Sequence, residues 1–446
     1  MTTDAPTARA LRDTLASGQL NRGRLIEEMH ESACAADAAR LHRFASLHEG
    51  AICAQVAERL ELRRSGQPLP PLWAGAGAVM AIIDAADFPT ECGSPLYAGR
   101  YPVADATVVR RLRGAGAIIF GKTVTTEFAT YHPGPTRNPH HPEHTPGGSS
   151  SGSAAAVAAG VVPVAIGTQT NGSVLRPASF CGVYGFKPSR GELPRTGTFP
   201  QSPSLDELGL FARSLDDLAL VGECLTGDDG HDPASAGRAP RRWFDVATAA
   251  PPLPPRFAFV RTPWWGRMEP QAREACEAFV QQMQGLVEEV PLPDVVQRAL
   301  AWHATVNDAE LALALYHAFH HQADAFSPTL RERLRRAQDI RAVDYLLARD
   351  RMAHVAAAFD EYFDRYDAIL TPAALGAAPR GLDSTGDPIM QTVWTFAGLP
   401  MVTLPLLQLQ DNLPLGIQAI GAARQDARLL RSARVLVNTF VERAAS

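Results

Sequence analysis

The feature that most constrains this chain is a glycine- and serine-rich run, PGGSSSGSAAA, at residues 146–156. It leads directly into an alanine-rich stretch of helical propensity and then into an apolar segment at residues 161–166, which a flexible linker would not do. A second polar run, TQTNGS, follows at residues 168–173. Glycines let the backbone approach a ligand and aim several N–H groups at one point, while serines act as nucleophiles or relay protons. The two runs together predict a site suited to acyl chemistry.

Composition excludes several classes of protein. The chain has 446 residues, is 46% hydrophobic and 20% charged, and carries a formal net charge of −5, which describes a soluble globular protein. The mildly acidic pI of about 6.2 offers no broad basic surface, so nucleic acid is not expected as a partner. No apolar stretch reaches the length of a membrane span, and the N-terminus lacks a signal peptide. We therefore expect a cytoplasmic protein without membrane contact.

The six cysteines are scattered without a CxxC pair, which argues against a structural zinc site and fits a reducing compartment. We expect no metal and no cofactor.

Patterning along the chain predicts an α/β protein with one mixed sheet. Residues 1–69 suggest a helical N-terminal cover, and residues 70–225 alternate short apolar runs with glycine- and alanine-rich segments. The proline-rich stretch 227–256 is predicted to be a linker or surface excursion. Residues 296–365 are strongly helical, and the segment 366–446 returns to strands that rejoin the sheet before a closing helix. We expect residues 70–446 to form one structural unit with the N-terminal cover.

The run HTPGGSSSGSAAAVAAG, continued by IGTQTNGSVLRPASFCGVYGFKP, resembles the signature of the amidase signature family. The similarity is most specific over residues 70–225 and extends to later blocks such as SLDELGLFARSLDDL and STGDPIMQTVWTFAGLP. The resemblance implies a serine hydrolase of amides whose core is one mixed β-sheet with helices on both faces. It implies no cofactor.

The resemblance also assigns roles by position. Ser173 matches the nucleophile that accepts the acyl group, and Ser149, expected after an unusual cis peptide, matches the serine that relays its proton. The backbone N–H groups that match the oxyanion hole are those of Thr170, Asn171, Gly172 and Ser173. Arg176 matches an arginine kept behind the nucleophile, expected as a structural ion-pair partner. Gly148 and Ser150 are expected to support the site.

The third catalytic member is missing. The family's lysine lies in a segment whose register, fixed here by IID at residues 82–84 and PTECGS at residues 89–94, places Met80 on the lysine. A thioether neither titrates nor donates a hydrogen bond, so Met80 cannot accept the proton that Ser149 passes on. The only lysines, Lys122 and Lys187, lie in blocks where the family has additional lysines, and both are predicted to be structural. Asn171 stands where a glycine is usual.

Three functions follow from this pattern. The first is an amidase-like hydrolase that acylates Ser173 on an amide, ester or other small acyl substrate, with activity weakened by the lost lysine. The second is an inactive pseudo-amidase that binds a ligand or partner subunit, and the third is an acyl transferase or amide synthase that uses the same serine. A homodimer is expected at the level of the family. Trp394 and Asp387 are candidates for the pocket wall.

Overall fold

The structure is a computed structural model that describes residues 7–10, 41–73 and 75–445. Its strands are β1 (Phe44–Ser46), β2 (Ala76–Met80), β3 (Ile118–Thr123), β4 (Val164–Gln169), β5 (Tyr184–Lys187), β6 (Glu207–Ala212), β7 (Phe257–Phe259), β8 (Val287–Glu289), β9 (Ala368–Pro372), β10 (Met401–Gln408) and β11 (Pro414–Ile420). Its α-helices are α1 (Glu49–Arg64), α2 (Thr107–Gly114), α3 (Ser151–Ala158), α4 (Leu175–Cys181), α5 (Leu215–Leu225), α6 (Phe244–Thr248), α7 (Pro270–Gln282), α8 (Val295–Ala314), α9 (Tyr316–Gln322), α10 (Pro328–Ala337), α11 (Ala342–Ala357), α12 (Asp360–Arg365), α13 (Ile389–Ala397) and α14 (Asp426–Ala445).

All these strands form one mixed sheet in the order β1-β3-β2-β4-β6-β5-β10-β11-β9-β7-β8. Strand β2 is parallel to β3 and β4, and β7 is parallel to β8 and β9, whereas the central strands are antiparallel. The C-terminal strands rejoin the N-terminal half at the pair β5–β10, where Lys187 lies opposite Met401. The expected return of the chain to the first part of the sheet is therefore confirmed.

Helices cover both faces of the sheet, as expected. Alternate side chains of each strand point to opposite faces. On β6, for example, Leu208 and Leu210 enter one hydrophobic core and Phe211 enters the other. The first core is closed by α2, α5, α7 and α14, and the second by α1, α3, α4, α8, α11 and α13. The α/β class and the single mixed sheet predicted from the sequence are confirmed.

Two segments differ in detail from their expected character. The N-terminal segment is not wholly helical, because β1 lies within it and pairs with β3 at the edge of the sheet. The proline-rich segment 227–256 contains α6 and anchors itself to the body: Trp243 is 3% exposed, and Asp232 binds Arg195. Short β-strands and buried anchors within polar or proline-rich surroundings leave little periodic signal in the sequence. The expected N-terminal helices between residues 11 and 40 lie outside the described residues.

None of the helices in the described part of the chain combines the length and the apolar character needed to cross a bilayer.

Candidate functional site

The site lies where parallel strands β2 and β4 end. Gly77, Ala78 and Val79 pair in register with residues 164–166, so Met80 and Thr168 reach the same carboxyl edge of the sheet. Ligands commonly bind at the carboxyl edge of parallel strands, because the loops that follow the strands converge there. The two polar runs of the sequence supply those loops: one precedes α3 and the other joins β4 to α4.

Met80 ends β2 and points its sulfur into a buried cluster of hydroxyl groups. Its side chain is 0% exposed. The Ser150 hydroxyl lies 3.3 Å from Met80 Sδ, and the Thr168 hydroxyl lies 3.6 Å from it. Ser150 Oγ also lies 3.2 Å from the Thr168 carbonyl oxygen and accepts a hydrogen bond of 3.2 Å from the Thr168 N–H. The position predicted for the lost lysine is thus surrounded by groups that can hydrogen-bond an amine.

Ser149 is held by its backbone and not by its side chain. The Gly148–Ser149 peptide bond is cis, as expected from the sequence. Arg176 Nη2 donates to the Gly148 carbonyl at 2.7 Å, and the Thr126 N–H donates to the Ser149 carbonyl at 3.3 Å. Ser149 Oγ is buried and has no hydrogen-bond partner among the described residues. An unpaired buried hydroxyl costs free energy. A group that hydrogen-bonds Ser149 Oγ would therefore stabilise the site.

Ser173 follows three peptide groups whose carbonyls are all hydrogen-bonded within the protein. His303 Nε2 bonds the Thr170 carbonyl at 2.9 Å, the Thr395 hydroxyl donates to the Asn171 carbonyl at 2.6 Å, and the Arg176 N–H donates to the Gly172 carbonyl at 3.1 Å. Because a trans peptide holds its C=O and the next N–H on opposite sides, these bonds also orient the N–H groups of residues 171–173. Over the described ranges, none of those N–H groups donates to a protein acceptor. The segment therefore presents free donors beside the Ser173 hydroxyl.

Gln169 connects this segment to the start of α4. Its Oε1 accepts from the N–H groups of Val174 and Leu175 at 2.9 and 3.1 Å, and its Nε2 donates to Thr395 Oγ1 at 2.9 Å. It thus satisfies two N–H groups at the helix start and orients the Thr395 hydroxyl that holds Asn171.

Gly172 has no room for a side chain. A Cβ atom there would lie 2.7 Å from Gln391 Oε1 and 3.1 Å from Arg176 Nη1. Close approach of the backbone to its surroundings explains glycine at this position.

Arg176 differs from the expected ion-pair partner. Its Nε donates to the Thr385 carbonyl at 2.8 Å and its Nη2 donates to Gly148, whereas no carboxylate within the described residues forms a salt bridge with it. Burial lowers the pKa of Arg176 to about 10, which still leaves the guanidinium charged at neutral pH. It is a buried cation bonded to carbonyl groups, and its Nη1 has no hydrogen-bond partner in the part of the chain that the structure describes.

A pocket leads from the surface to Ser173. We call its deep part the inner pocket, bounded by Ser173, Arg176, Tyr131, Gln201, Asn307 and Arg333. The wider outer mouth adds His303, Arg336, Asp387 and Thr392. The residues that it shares with the inner pocket are Tyr131, Asn171, Asn307, Arg333 and Pro388. The Asn171 side chain is anchored there, since Thr392 Oγ1 donates to Asn171 Oδ1 at 2.7 Å. The route is narrow at its Ser173 end, with a volume of about 10 Å³, whereas the outer mouth has about 600 Å³.

Two buried titratable groups flank Thr170. The Thr170 hydroxyl donates to Asp206 Oδ1 at 2.5 Å, and burial raises the pKa of that carboxyl to about 7, opposed by its hydrogen bonds. Burial lowers the pKa of His303 to about 4, so its imidazole is neutral near pH 7 and donates from Nε2 to the Thr170 carbonyl.

The amino groups of both lysines hydrogen-bond to residues other than Ser149 and Ser173. Lys122 Nζ donates to the Ile83 carbonyl and to Thr90 Oγ1, and Lys187 Nζ donates to the Pro188 carbonyl. Burial lowers the pKa of Lys122 to about 7 and that of Lys187 to about 8. Across the described ranges, neither amino group hydrogen-bonds to Ser149 or Ser173.

The two residues predicted for the pocket wall, Asp387 and Trp394, lie in different surroundings. Asp387 lies at the outer mouth, where Arg267 pairs with it at 2.7 Å. Trp394 does not line the pocket: it is 1% exposed and packs against Phe359 in the second core, with ring centroids 4.8 Å apart. Trp394 lies on the core-facing side of α13, whereas Thr392 faces the pocket.

Sequence reasoning missed several residues that build the site, and three of them lie more than 100 residues from Ser173 along the chain. The missed residues are Gln169, Asp206, His303, Arg333 and Thr395. Gln169 and Asp206 stand inside blocks already singled out, TQTNGS and SLDELG, and could have been found there. His303 and Arg333 lie on helices whose polar residues resemble any solvated face.

Comparison with known proteins agrees with this geometry. A model of the family described as amidase matches residues 36–430. A glutamyl-tRNA(Gln) amidotransferase subunit from Lachnospira eligens is 33% identical over 383 residues, covering 77% of this chain and 79% of the relative. The AtzE subunit of 1-carboxybiuret hydrolase from Pseudomonas sp. strain ADP is 33% identical over 416 residues, covering 87% and 89%.

Solved structures give the same result. The peptide amidase of Stenotrophomonas maltophilia superposes with a TM-score of 0.84 at 28% identity, covering 100% of this chain and 98% of the other. A chain from a vestigial protein complex that reveals the evolutionary origins of an s-triazine catabolic enzyme has a TM-score of 0.90 at 28% identity, covering 97% and 98%.

Proposed function

The chain belongs to the amidase family, which acts on amide carbon–nitrogen bonds, and from this we propose that Ser173 is its acyl-accepting nucleophile. The observation that carries the proposal is that the carbonyls of residues 170–172 are all hydrogen-bonded within the protein, while the N–H groups of residues 171–173 donate to no acceptor among the described residues. Such preorganised donors stabilise the negative charge that develops on a carbonyl oxygen during acyl transfer.

In the proposed reaction, the Ser173 hydroxyl attacks the acyl carbon and Ser149 relays its proton. The leaving amine departs with a proton, and water then releases the acyl group from Ser173. We propose that this reaction is slow, because Met80 provides no group that can take the proton from Ser149. Support comes from the unpartnered Ser149 Oγ and from the thioether that occupies the neighbouring buried position. Activated esters and anilides should react better than plain amides, since their leaving groups need less assistance.

The same two observations favour a second candidate, an inactive pseudo-amidase that binds a ligand without turning it over. The two candidates share the pocket and differ in whether Ser173 reacts. The acyl transferase remains a third prediction, and aminolysis that exceeds hydrolysis at equal acyl donor would support it.

Reaction with a fluorophosphonate, followed by intact mass, tests the nucleophile without knowledge of the substrate. The parent chain is compared with Ser173→Ala and with Met80→Lys. Labelling of the parent that disappears in Ser173→Ala supports the hydrolase. If the parent is not labelled, and Met80→Lys is labelled only when Ser173 is present, the result supports the pseudo-amidase. Equal labelling of the parent and Ser173→Ala contradicts the assignment of Ser173.

The relatives named as subunits lead us to extend the proposal to assembly with a second copy or with a different partner chain. The molar mass of the purified chain, alone and co-expressed with neighbouring gene products, tests this extension. A monomer under both conditions would contradict it.

A further inference from the structure

Three exposed histidines lie on helix α9, whose sequence is YHAFHHQ, and the structure pairs two of them. His317 and His321 are four residues apart, which places them on one face of the helix. Their rings are nearly parallel, with an interplanar angle of 19°, and the ring centroids lie 4.2 Å apart. Histidines at this spacing on one helix face are a recurrent way of holding a metal ion between two side chains.

The third histidine, His320, stands apart from this pair. Its ring packs on Tyr316, with centroids 4.1 Å apart, and lies edge-on to the ring of Phe319. Residues three and four apart both share a helix face, so the sequence alone does not distinguish His320 from His321 as the partner of His317. The structure makes this distinction and selects His321.

A backbone hydrogen bond orients the ring of His321. Its Nδ1 lies 2.8 Å from the His317 carbonyl oxygen. A carbonyl oxygen only accepts, so Nδ1 carries the proton and Nε2 of the neutral ring keeps its lone pair. Histidines that bind metals usually donate their other N–H to a carbonyl or carboxylate in this way. His321 Nε2 is therefore the ring nitrogen that remains for a ligand.

Carboxylates do not occupy the pair. Among the described histidines, only His354 lies within salt-bridge distance of a carboxylate. Asp324, the acidic residue that follows α9, pairs with Arg331 at 2.8 Å. No set of three or more potential metal ligands occurs within the described ranges. A metal ion here would therefore have two protein ligands, and water would complete its coordination.

We propose that His317 and His321 bind a divalent transition metal ion at the surface of α9. Imidazole suits Cu²⁺, Ni²⁺ and Zn²⁺, whereas Mg²⁺ and Ca²⁺ prefer oxygen ligands. Cu²⁺ should bind more tightly than Ni²⁺ or Zn²⁺, because this order holds for most nitrogen sites. No residue of α9 lines the inner pocket or the outer mouth, so the site is separate from Ser173 and goes beyond the proposed function.

A bound ion would link two successive turns of a helix that is only seven residues long. Helices of this length are marginal without outside support. The inward face of α9 already has such support, since the ring of Phe319 lies 6.4 Å from that of Phe326, which in turn lies 5.9 Å from that of Phe128 in the core. The metal would support the outward face, and a ligand that binds the folded chain raises its stability by mass action.

Calorimetry of the whole chain with Ni²⁺ at about pH 7.5 tests the site, and Mg²⁺ is the control ion. Protons compete with metals for imidazole, so the pH is held fixed. Ni²⁺ should bind and raise the midpoint of thermal unfolding, whereas Mg²⁺ should do neither. Dissociation constants above about 1 mM for both Ni²⁺ and Cu²⁺ would overturn the proposal, and so would equal binding of Mg²⁺.

Three single variants locate the site. His317→Gln and His321→Gln should each weaken the Ni²⁺ equivalent at least about 10-fold, because even loss of a partner outside the ligand set costs about 10- to 100-fold in affinity. His320→Gln is the matched control: His320 is exposed on the same helix, and its Nδ1 lies 2.8 Å from the carbonyl oxygen four residues earlier. This control should bind Ni²⁺ like the unaltered chain. Equal losses in all three variants, or no loss in any, would overturn the proposal.

Electron paramagnetic resonance of Cu²⁺, added below one equivalent, gives a measurement on the unaltered chain. The spectrum should show two coordinated imidazole nitrogens in the unaltered chain and in His320→Gln, and fewer in His321→Gln. A spectrum of the unaltered chain with one imidazole nitrogen or none would overturn the proposal. This measurement decides the question if one of the variants fails to fold.

Discussion

The sulfur of Met80 lies 3.3 Å from the hydroxyl oxygen of Ser150, and both side chains are completely buried. Met80 ends a strand beside the cis peptide of Ser149, in a cluster of hydroxyl groups that an amine could bond and a thioether satisfies only weakly. The position of Met80 therefore has the hydrogen-bonding surroundings that a buried amine would need.

Met80→Lys should restore proton transfer. Burial lowers the pKa of a lysine in such a position, so a larger share of the amine is free to take the proton from Ser149. We expect hydrolysis of an activated anilide to rise about 10²- to 10⁴-fold, the usual contribution of a positioned base. The rise should follow pH upward through the deprotonation of the new amine and vanish in the double variant with Ser173→Ala. Met80→Leu is the control of similar volume, and a folded Met80→Lys no faster than Met80→Leu would contradict the assignment of this position.

Gly172→Ala should destabilise the chain. The new methyl group would meet Gln391 Oε1 at 2.7 Å and Pro388 at 3.0 Å, and overpacking of this kind costs about 1–3 kcal/mol. Urea unfolding measures the loss. Gly50→Ala is the control, since its Cβ meets nothing within 4 Å and it lies in α1, where alanine should add about 0.4–1 kcal/mol. Unchanged stability of Gly172→Ala would contradict this prediction, because it would show that Gln391 and Pro388 move aside for the methyl group at no cost.

Gln169→Met should lower the free energy of unfolding by on the order of 3 kcal/mol, because the buried N–H groups of Val174 and Leu175 lose their common acceptor. Methionine preserves the volume, so the loss reports on hydrogen bonds and not on a cavity. Gln322→Met, at an exposed position in α9, should change stability by less than about 0.5 kcal/mol. A similar small effect at both positions would mean that Gln169 does not hold the start of α4.

His303 should make stability depend on pH. Its pKa falls from the ordinary value of 6.5 to about 4 in the folded chain, so the unfolded chain binds the proton more readily. The contribution is complete above pH 6.5 and is lost as the pH falls toward 4, to a total of about 3 kcal/mol at 1.36 kcal/mol per pH unit. His303→Gln keeps a donor for the Thr170 carbonyl but does not titrate. Unfolding curves of the two proteins between pH 4 and pH 8 should converge on acidification, whereas parallel curves would contradict the buried neutral imidazole.

Local sequence predicts what lies close together along the chain. The register of IID and PTECGS is enough to single out Met80, and the structure places its sulfur among the hydroxyls of Ser150 and Thr168. The two polar runs indicate the loops that carry Ser149 and Ser173, because glycine, serine and a following helix are local signals. The roles of these residues remain predictions.

The remaining residues of the site come together only in the folded chain. Thr395 and His303 bond the carbonyls of Asn171 and Thr170 from more than 130 residues away, and no periodicity marks a helix residue for such a bond. Arg333 resembles any exposed arginine until Asp308 and Tyr131 fix its plane. The sequence around Trp394 predicts that its side chain lies in the pocket wall. Within one turn of α13, however, Thr392 faces the pocket and Trp394 faces the core, and the sequence alone does not tell these two faces apart.

The pairing of β5 with β10 has a consequence for how the chain is made. Lys187 meets Met401, more than 200 residues later, so the ribosome releases β5 well before the strand that covers its open side. At about 5–20 residues per second, that edge waits roughly 10–40 s during synthesis. An uncovered strand in the middle of a future sheet is a template for pairing with another chain. Chaperones that cover this strand during synthesis should therefore raise the yield of folded protein in a heterologous host.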